Sequence, residues 1–169
     1  MTTERIEVRR TVAASPEEIF AVLCDPQGHV DIDASGMLQD ATGEPVTGVD
    51  DRFVVHMDRE ALGDRPLGRY DVTVVITRFE PDRAIAWRIE GVARPPIGHV
   101  YGYLLEPADD ADDAGDGPTT VVTSFYDWSD IHPDWRERGI FPVIAESALK
   151  ATLGILERTV VRRRVSPGS

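Results

Sequence analysis

The sequence predicts an α+β fold, in which helices cover the apolar face of an antiparallel sheet. Three observations carry this. Stretches between Arg5 and Trp128 repeatedly alternate apolar with polar residues or run through β-branched ones. A well-capped short helix follows the first of them, at Ser15 to Leu23. From Gly139 onward the apolar spacing becomes helical. Strands that succeed one another without intervening long helices suggest an antiparallel meander, and its apolar face needs the helices as a cover.

The elements follow in order. In Arg5–Val12, residues Ile6, Val8 and Val12 share one face and Glu7, Arg9 and Thr11 the other, the mark of a half-buried strand. Ser15 is a good N-cap, Pro16 suits the first helical position, and Glu18 stands three residues after the cap to complete a capping box. That helix carries Ile19, Phe20, Val22 and Leu23 and stops before Pro26. Residues 25–50, rich in Asp, Gly and Pro, read as a loop holding a short second helix and a short strand. Arg52–Asp58 sets Phe53, Val55 and Met57 against Arg52, Val54, His56 and Asp58. Gly68–Phe79 is a long β-branched strand, Glu80–Arg83 a turn, and Ala84–Glu90 a strand with Trp87 and Ile89 on one face. His99, Tyr101, Tyr103 and Leu105 alternate on the next strand. Residues 107–118 form an acidic low-complexity hairpin connection, without the spacing or closing Glu of a calcium loop. The last strand is Thr119–Trp128.

The terminal helix is expected from Gly139 to about Arg163. Its apolar stripe is Phe141, Ile144, Ala145, Ala148, Leu149, Thr152, Ile155, Leu156 and Thr159, with Glu146, Lys150, Gly154, Glu157 and Arg158 opposite. Thr152 and Thr159 fall mid-stripe, where a hydroxyl bonds back to the helix carbonyls in preference to meeting a ligand. One domain over residues 1–165 is expected, with residues 166–169 as a disordered tail.

Composition narrows the function. Hydrophobic residues make up 41% of the 169, enough for a real core. The net charge of −12 repels phosphate backbones and anionic lipid surfaces, so no nucleic-acid partner is expected. Arg162–Arg164 suits the negative end of a helix dipole. The single cysteine, Cys24, reads as a small buried hydrophobe. The charged opening MTTERIEVRRTV has no apolar signal core and no later run is long enough to span a bilayer, so a cytoplasmic protein without stable membrane insertion is expected. The histidines at 29, 56, 99 and 132 show no metal-ligand spacing. No GxGxxG, Walker or GxSxG motif occurs, and Ser124 and Ser129 lack a nucleophile's context, so no metal and no cofactor are expected.

Specific residues now join the element order. IEVRRTVAASPEEIFAVLCDP opens the chain with a strand, a capped helix and an Asp-Pro exit. Phe79–Trp87 reads FEPDRAIAW, Gly98–Pro107 reads GHVYGYLLEP, and Thr120-Val-Val-Thr leads to Tyr126-Asp-Trp128. In this order, over nearly its whole length, the chain resembles the START-like superfamily, also called SRPBCC or helix-grip, and within it the polyketide cyclase/dehydrase-like bacterial proteins. The resemblance implies an antiparallel seven-stranded sheet gripping the C-terminal helix, with an apolar cavity between them. Members bind lipids, sterols, polyketides or plant hormones, and some catalyse ring closure and dehydration. Fold alone does not fix the function.

A cavity in such a fold would be lined by Phe53, Val55, Met57, Val72, Val74, Trp87, Ile89, Tyr101, Tyr103, Tyr126, Trp128, Phe141, Ala148 and Thr152. Ordinary core packing explains the aliphatic members equally well. For cyclase chemistry a general base and an oxyanion donor are needed. The candidate bases are His99, Asp127 and His132, and the candidate donors Tyr101, Tyr103 and Arg88. Each has a structural alternative: Asp127 can cap the turn after it, and His132-Pro133 is a rigid loop dipeptide. His56, between Arg52 and Asp58, is expected to face solvent. The stretch VTSFYDWSDIHPDW reads as the last strand running into a binding mouth closed by Tyr126 and Trp128, with Trp135 packing the loop onto the helix start. The expected partner is a small hydrophobic ligand, and a homodimer is left open. Three functions stand: a binding protein for a hydrophobic molecule, a cyclase/dehydrase using cavity Tyr, His and Asp, and, more weakly, a protein-interaction module.

Overall fold

The computed structural model describes residues 3–60, 68–108 and 117–165. These form β1 (Arg5–Val12), α1 (Pro16–Cys24), α2 (Pro26–Asp31), β2 (Leu38–Thr42), β3 (Arg52–Asp58), β4 (Arg69–Glu80), β5 (Ala84–Glu90), β6 (Val100–Pro107), β7 (Thr120–Asp127), α3 (Pro133–Arg136) and α4 (Glu146–Val165). The seven strands make one antiparallel sheet in the order β1-β7-β6-β5-β4-β3-β2. It is a meander from β2 to β7 with the first strand added beside the last. This is the helix-grip architecture. Most of the acidic connection and the expected tail lie outside the described residues.

Local chemistry explains the turn from β1 into α1. Ser15 Oγ accepts the Glu18 N–H at 3.2 Å and the Glu18 carboxylate accepts the Ser15 N–H at 3.2 Å, closing the capping box. Asp25 then caps α2 by accepting the Gln27 N–H. The two short helices carry the chain from one edge of the sheet to the other. Ile19, Phe20, Val22 and Leu23 are buried, as their spacing requires.

The long helix departs from its expected bounds. It begins at Glu146, not Gly139. Pro142 disfavours helical backbone at Phe141, and Gly139 has φ +65°, so residues 139–145 form a loop that carries Phe141. The buried ridge is also different. Leu149, Leu153, Leu156 and Val160 are buried, whereas Ala145 is exposed and Ala148, Thr152, Ile155 and Thr159 flank the ridge half-buried. Thr152 and Thr159 do bond back, to the Ala148 and Ile155 carbonyls at 3.0 and 2.8 Å. The helix lies mainly over β1 and β7, while α2 lies over β2 and β3. Arg163 binds Asp25 and Asp31, and Arg164 binds Glu18, tying the end of α4 to the two short helices. No helix among the described residues is long and apolar enough to cross a membrane.

Candidate functional site

Alternation along each strand decides which side chains lie on the concave face that the helices cover. The concave face of β3–β7 carries Phe53, Val55 and Met57; Tyr70, Val72, Val74 and Ile76; Ile85, Trp87 and Ile89; Tyr101, Tyr103 and Leu105; and Val122, Ser124 and Tyr126. Trp128 follows at the end of β7. At one end of the strands two loops, residues 91–99 and 128–145, frame the face. They are joined by the His132 N–H to the Ile97 carbonyl at 3.0 Å and by Trp135 Nε1–H to the Pro95 carbonyl at 2.6 Å. Trp135 thus pins the two loops together. Val92, Ile140 and Val143 stand exposed on these loops.

Aromatic rings gather at this end. His99 lies against Tyr101, Tyr126 and Phe141 with ring centroids 5.3, 5.4 and 5.9 Å apart. Tyr101 lies 4.8 Å from Tyr126, and Tyr126 stacks on Trp128 at 5.6 Å. Deeper in, Trp87 stacks on Tyr101 and Tyr103 and meets His29 edge-on at 4.7 Å. The face therefore divides. Phe53, Val55, Val74, Trp87, Tyr103, Tyr126 and Trp128 are buried in the packed core, while Met57, Tyr70, Ile89, Tyr101, Phe141, Ala148 and Thr152 are half-buried nearer the open end.

The polar groups differ in how they are satisfied. His99 Nδ1 and Tyr126 Oη are 2.7 Å apart, and the Val143 backbone N–H also bonds Tyr126. Which of the two donates follows the His99 tautomer. Tyr103 bonds Ser124. His99 Nε2 and Tyr101 Oη have no hydrogen-bond partner among the described residues. Yet no described side-chain nitrogen or oxygen is both sealed from solvent and unpartnered. Tyr101 is half-buried and His99 is 7% exposed, so neither residue is wholly sealed. A groove of about 520 Å³ opens at the same end of β3 and β4, lined by Gln39, His56, Met57, Asp58, Arg69, Tyr70 and Asp71. Of its lining, Met57 and Tyr70 belong to the concave face, whereas His56, Asp58, Arg69 and Asp71 alternate to the outer side.

Burial fixes the charge state. It pulls the His99 imidazole down to about 4 and pushes the Tyr103 hydroxyl up to about 12. Tyr101 and Tyr126 are also raised by burial, and further by Tyr70 beside Tyr101 and by Tyr101 beside Tyr126. His29, whose Nε2 bonds the Leu23 carbonyl at 2.8 Å, is likewise pulled down to about 4 by burial. At neutral pH these groups are all uncharged. An unfolded histidine takes its proton near pH 6.5, before either folded imidazole does. The unfolded state then binds more protons, so unfolding free energy is expected to fall as pH drops from about 6.5 towards 4. The carboxylates with resolved shifts (Glu18, Asp51, Glu90, Asp127 and Glu157) are all lowered, so they titrate below most of that window. Urea unfolding at about pH 7.5 and pH 5 measures the slope. The double variant His29→Gln/His99→Gln should flatten it, and a flat wild-type profile would contradict the assignment.

The other candidates stand apart. Asp127 is on the convex face, where burial raises its carboxyl but the Ser129 hydroxyl and N–H, with Arg5 at 3.4 Å, outweigh it and hold the carboxylate below the usual range. Arg88 points to the same side and binds Glu90. His132 caps α3 by accepting the Asp134 N–H. His56 lies on the outer face in a ladder from Asp71 to Thr42, with both contacts at 2.8 Å. Cys24 is half-buried, and burial pushes its thiol up to about 11, as suits an inert packing group. Two members of the aromatic set were not foreseen. Tyr70 continues the alternation of Val72 and Val74 by one step, and that signal was available. His29 sits in a six-residue helix, too short to show a face.

The comparisons with known proteins agree with this architecture. A family model described as "Polyketide cyclase / dehydrase and lipid transport" matches residues 3–161. No curated protein matches the chain by sequence. Among solved structures the chain is similar to a conserved protein from Geobacillus kaustophilus, with 14% identity and a TM-score of 0.64 over 94% of this chain and 96% of that one. It is similar to a point mutant of norcoclaurine synthase from Thalictrum flavum in complex with a transition-state analogue (16%, TM-score 0.58, covering 96% and 97%). It is also similar to the Aha1 dimer from Colwellia psychrerythraea (17%, TM-score 0.57, covering 95% and 96%). At such identities the likeness of structure shows the fold alone, whereas the family model spans almost the whole sequence, and on that ground the chain belongs to the polyketide cyclase/dehydrase and lipid transport family.

Proposed function

We propose that this protein binds a hydrophobic small molecule, of lipid, polyketide or aromatic type, between the concave face of the sheet and α4, entered at the end framed by His99, Tyr101, Tyr126 and Trp128. The observation that carries this reading is the cluster of aromatic rings at this end, with the neutral polar groups of His99 and Tyr101 set among them. An apolar pocket with a few placed polar groups is the ordinary form of a small-molecule site. Native mass spectrometry of the purified protein, with extraction of any released species, reads out a resident ligand. Titration with the neutral dye Nile red tests an empty site. Thr152→Trp, which fills the helix side of the space, is expected to weaken dye binding at least about tenfold with the unfolding midpoint retained. Absence of both a resident ligand and dye binding counts against the reading.

Cyclase/dehydrase chemistry is the second reading, and the 2.7 Å contact between His99 and Tyr126 favours it. A neutral imidazole bonded to a phenol can accept or deliver a proton as charge develops on a substrate. With the imidazole near 4, however, His99 is a weak base at neutral pH, and the pair serves first to bind. A His99→Gln variant that keeps dye binding but loses turnover of a poly-keto substrate would support the enzyme reading. The Colwellia Aha1 relative is a dimer, which supports a homodimer here; sedimentation velocity gives the mass that decides it.

A further inference from the structure

We infer that the site selects an uncharged aromatic ligand bearing a hydrogen-bond-accepting oxygen, such as an aryl ketone, and discriminates against carboxylates. This rests on the binding reading above and narrows its ligand class. The concave face of β3–β7 holds no Asp, Glu, Lys or Arg from Phe53 to Tyr126. The helix side is equally neutral: Ala148, Leu149, Thr152, Leu153 and Leu156 face the sheet, and the Thr152 hydroxyl is already spent on the Ala148 carbonyl. Arg69 at the neighbouring groove alternates to the outer side and lies 3.6 Å from Asp58, and arginines on the framing loops are engaged outside. Arg94 donates to the Gly91 and Ala93 carbonyls, Arg136 binds Glu4 and the Ser129 carbonyl, and Arg138 lies over the Trp135 ring.

Among the described residues, this face therefore offers a ligand the neutral Tyr101 O–H donor and the uncharged His99 imidazole, beside the flat faces of aromatic rings. A carbonyl oxygen satisfies the Tyr101 donor. A carboxylate would lose its hydration with no cation among the described residues of this face in return, a cost far above that of a neutral polar group. Its escape is to bind as the protonated acid. For a carboxylic acid of pKa near 4, that form is about one part in 3,000 at pH 7.5.

The test is a matched pair of one shape, 2-acetylnaphthalene and 2-naphthoate, titrated calorimetrically into the full chain at pH 7.5. The ketone is expected to bind about 100- to 3,000-fold more tightly. Lowering the pH to about 5.5 should tighten apparent naphthoate binding up to about 100-fold, through its larger neutral fraction, and leave the ketone unchanged. Tyr101→Phe should weaken the ketone about tenfold and leave naphthalene itself, which lacks the oxygen, unaffected; a merely structural role for Tyr101 would move both. Equal affinities, or a preference for naphthoate, overturn the inference while the binding reading stands. Failure of both probes where Nile red still binds overturns it too. Failure of all three removes the binding reading and this inference together.

Discussion

Leu156→Ala is expected to lower the unfolding free energy by about 2–5 kcal/mol. Leu156 is fully buried on α4, in the ridge it forms with Leu149, Leu153 and Val160 against β1 and β7. Removing three carbons costs their transfer out of water and leaves a void that a helix tied at its end by Arg163 and Arg164 closes poorly. Exposed Ala151 on the opposite face is the control, and Ala151→Ser should change stability by less than about 0.5 kcal/mol. Urea titrations of the three proteins decide the matter. A loss below about 1 kcal/mol for Leu156→Ala would mean that the sheet does not grip the helix through this ridge.

Gly28→Ala should behave against its local chemistry. In an ordinary helix alanine is favoured over glycine by about 1 kcal/mol, and Gly28 has no left-handed φ to defend. A Cβ at this position, however, runs into the Val22 carbonyl oxygen and lies 2.9 Å from the Val22 carbonyl carbon and 3.1 Å from its Cγ1. The obstacle is mostly backbone of α1, so no rotamer change relieves it. The corner between α1 and α2 has to open, and that moves His29 off Phe53 and Trp87. We expect a loss of about 2–3 kcal/mol, seen as a midpoint lowered by roughly 4–12 °C for a chain of this size. Unchanged or raised stability would show that the corner is loose.

Much of the fold was legible because local signals agreed. Ser15, Pro16 and Glu18 announce α1, and period-two alternation fixes the inward face of β3, β5, β6 and β7. The same alternation already separates Tyr126 from Asp127. Both were candidates for one site, yet neighbours on a strand face opposite ways. Tyr101, Tyr103 and Tyr126 could be placed together because each lies on the apolar side of its strand. The helix was misjudged where two weak signals competed. Drawing the stripe through Phe141 and Ile144 set its phase before the helix begins, and the stripe then missed Leu153 and Val160. His29 was out of reach, since its partners Phe53 and Trp87 are distant in sequence and no local pattern brings them together.

The placement of β1 beside β7 has a consequence for biosynthesis. Arg5 pairs with Asp127, a separation of 122 residues. A ribosome adding about 5–20 residues per second delivers the partner strand roughly 6–24 s after the first strand is made. Through that interval β1 has polar edges and one apolar face, Ile6, Val8 and Val12, with nothing to pair against. The charges at Glu7, Arg9 and Arg10 keep the nascent strand solvated and discourage premature association with neighbouring chains. Closure of the sheet is then a late, long-range event, so the protein should acquire its final topology only after most of it has been synthesised.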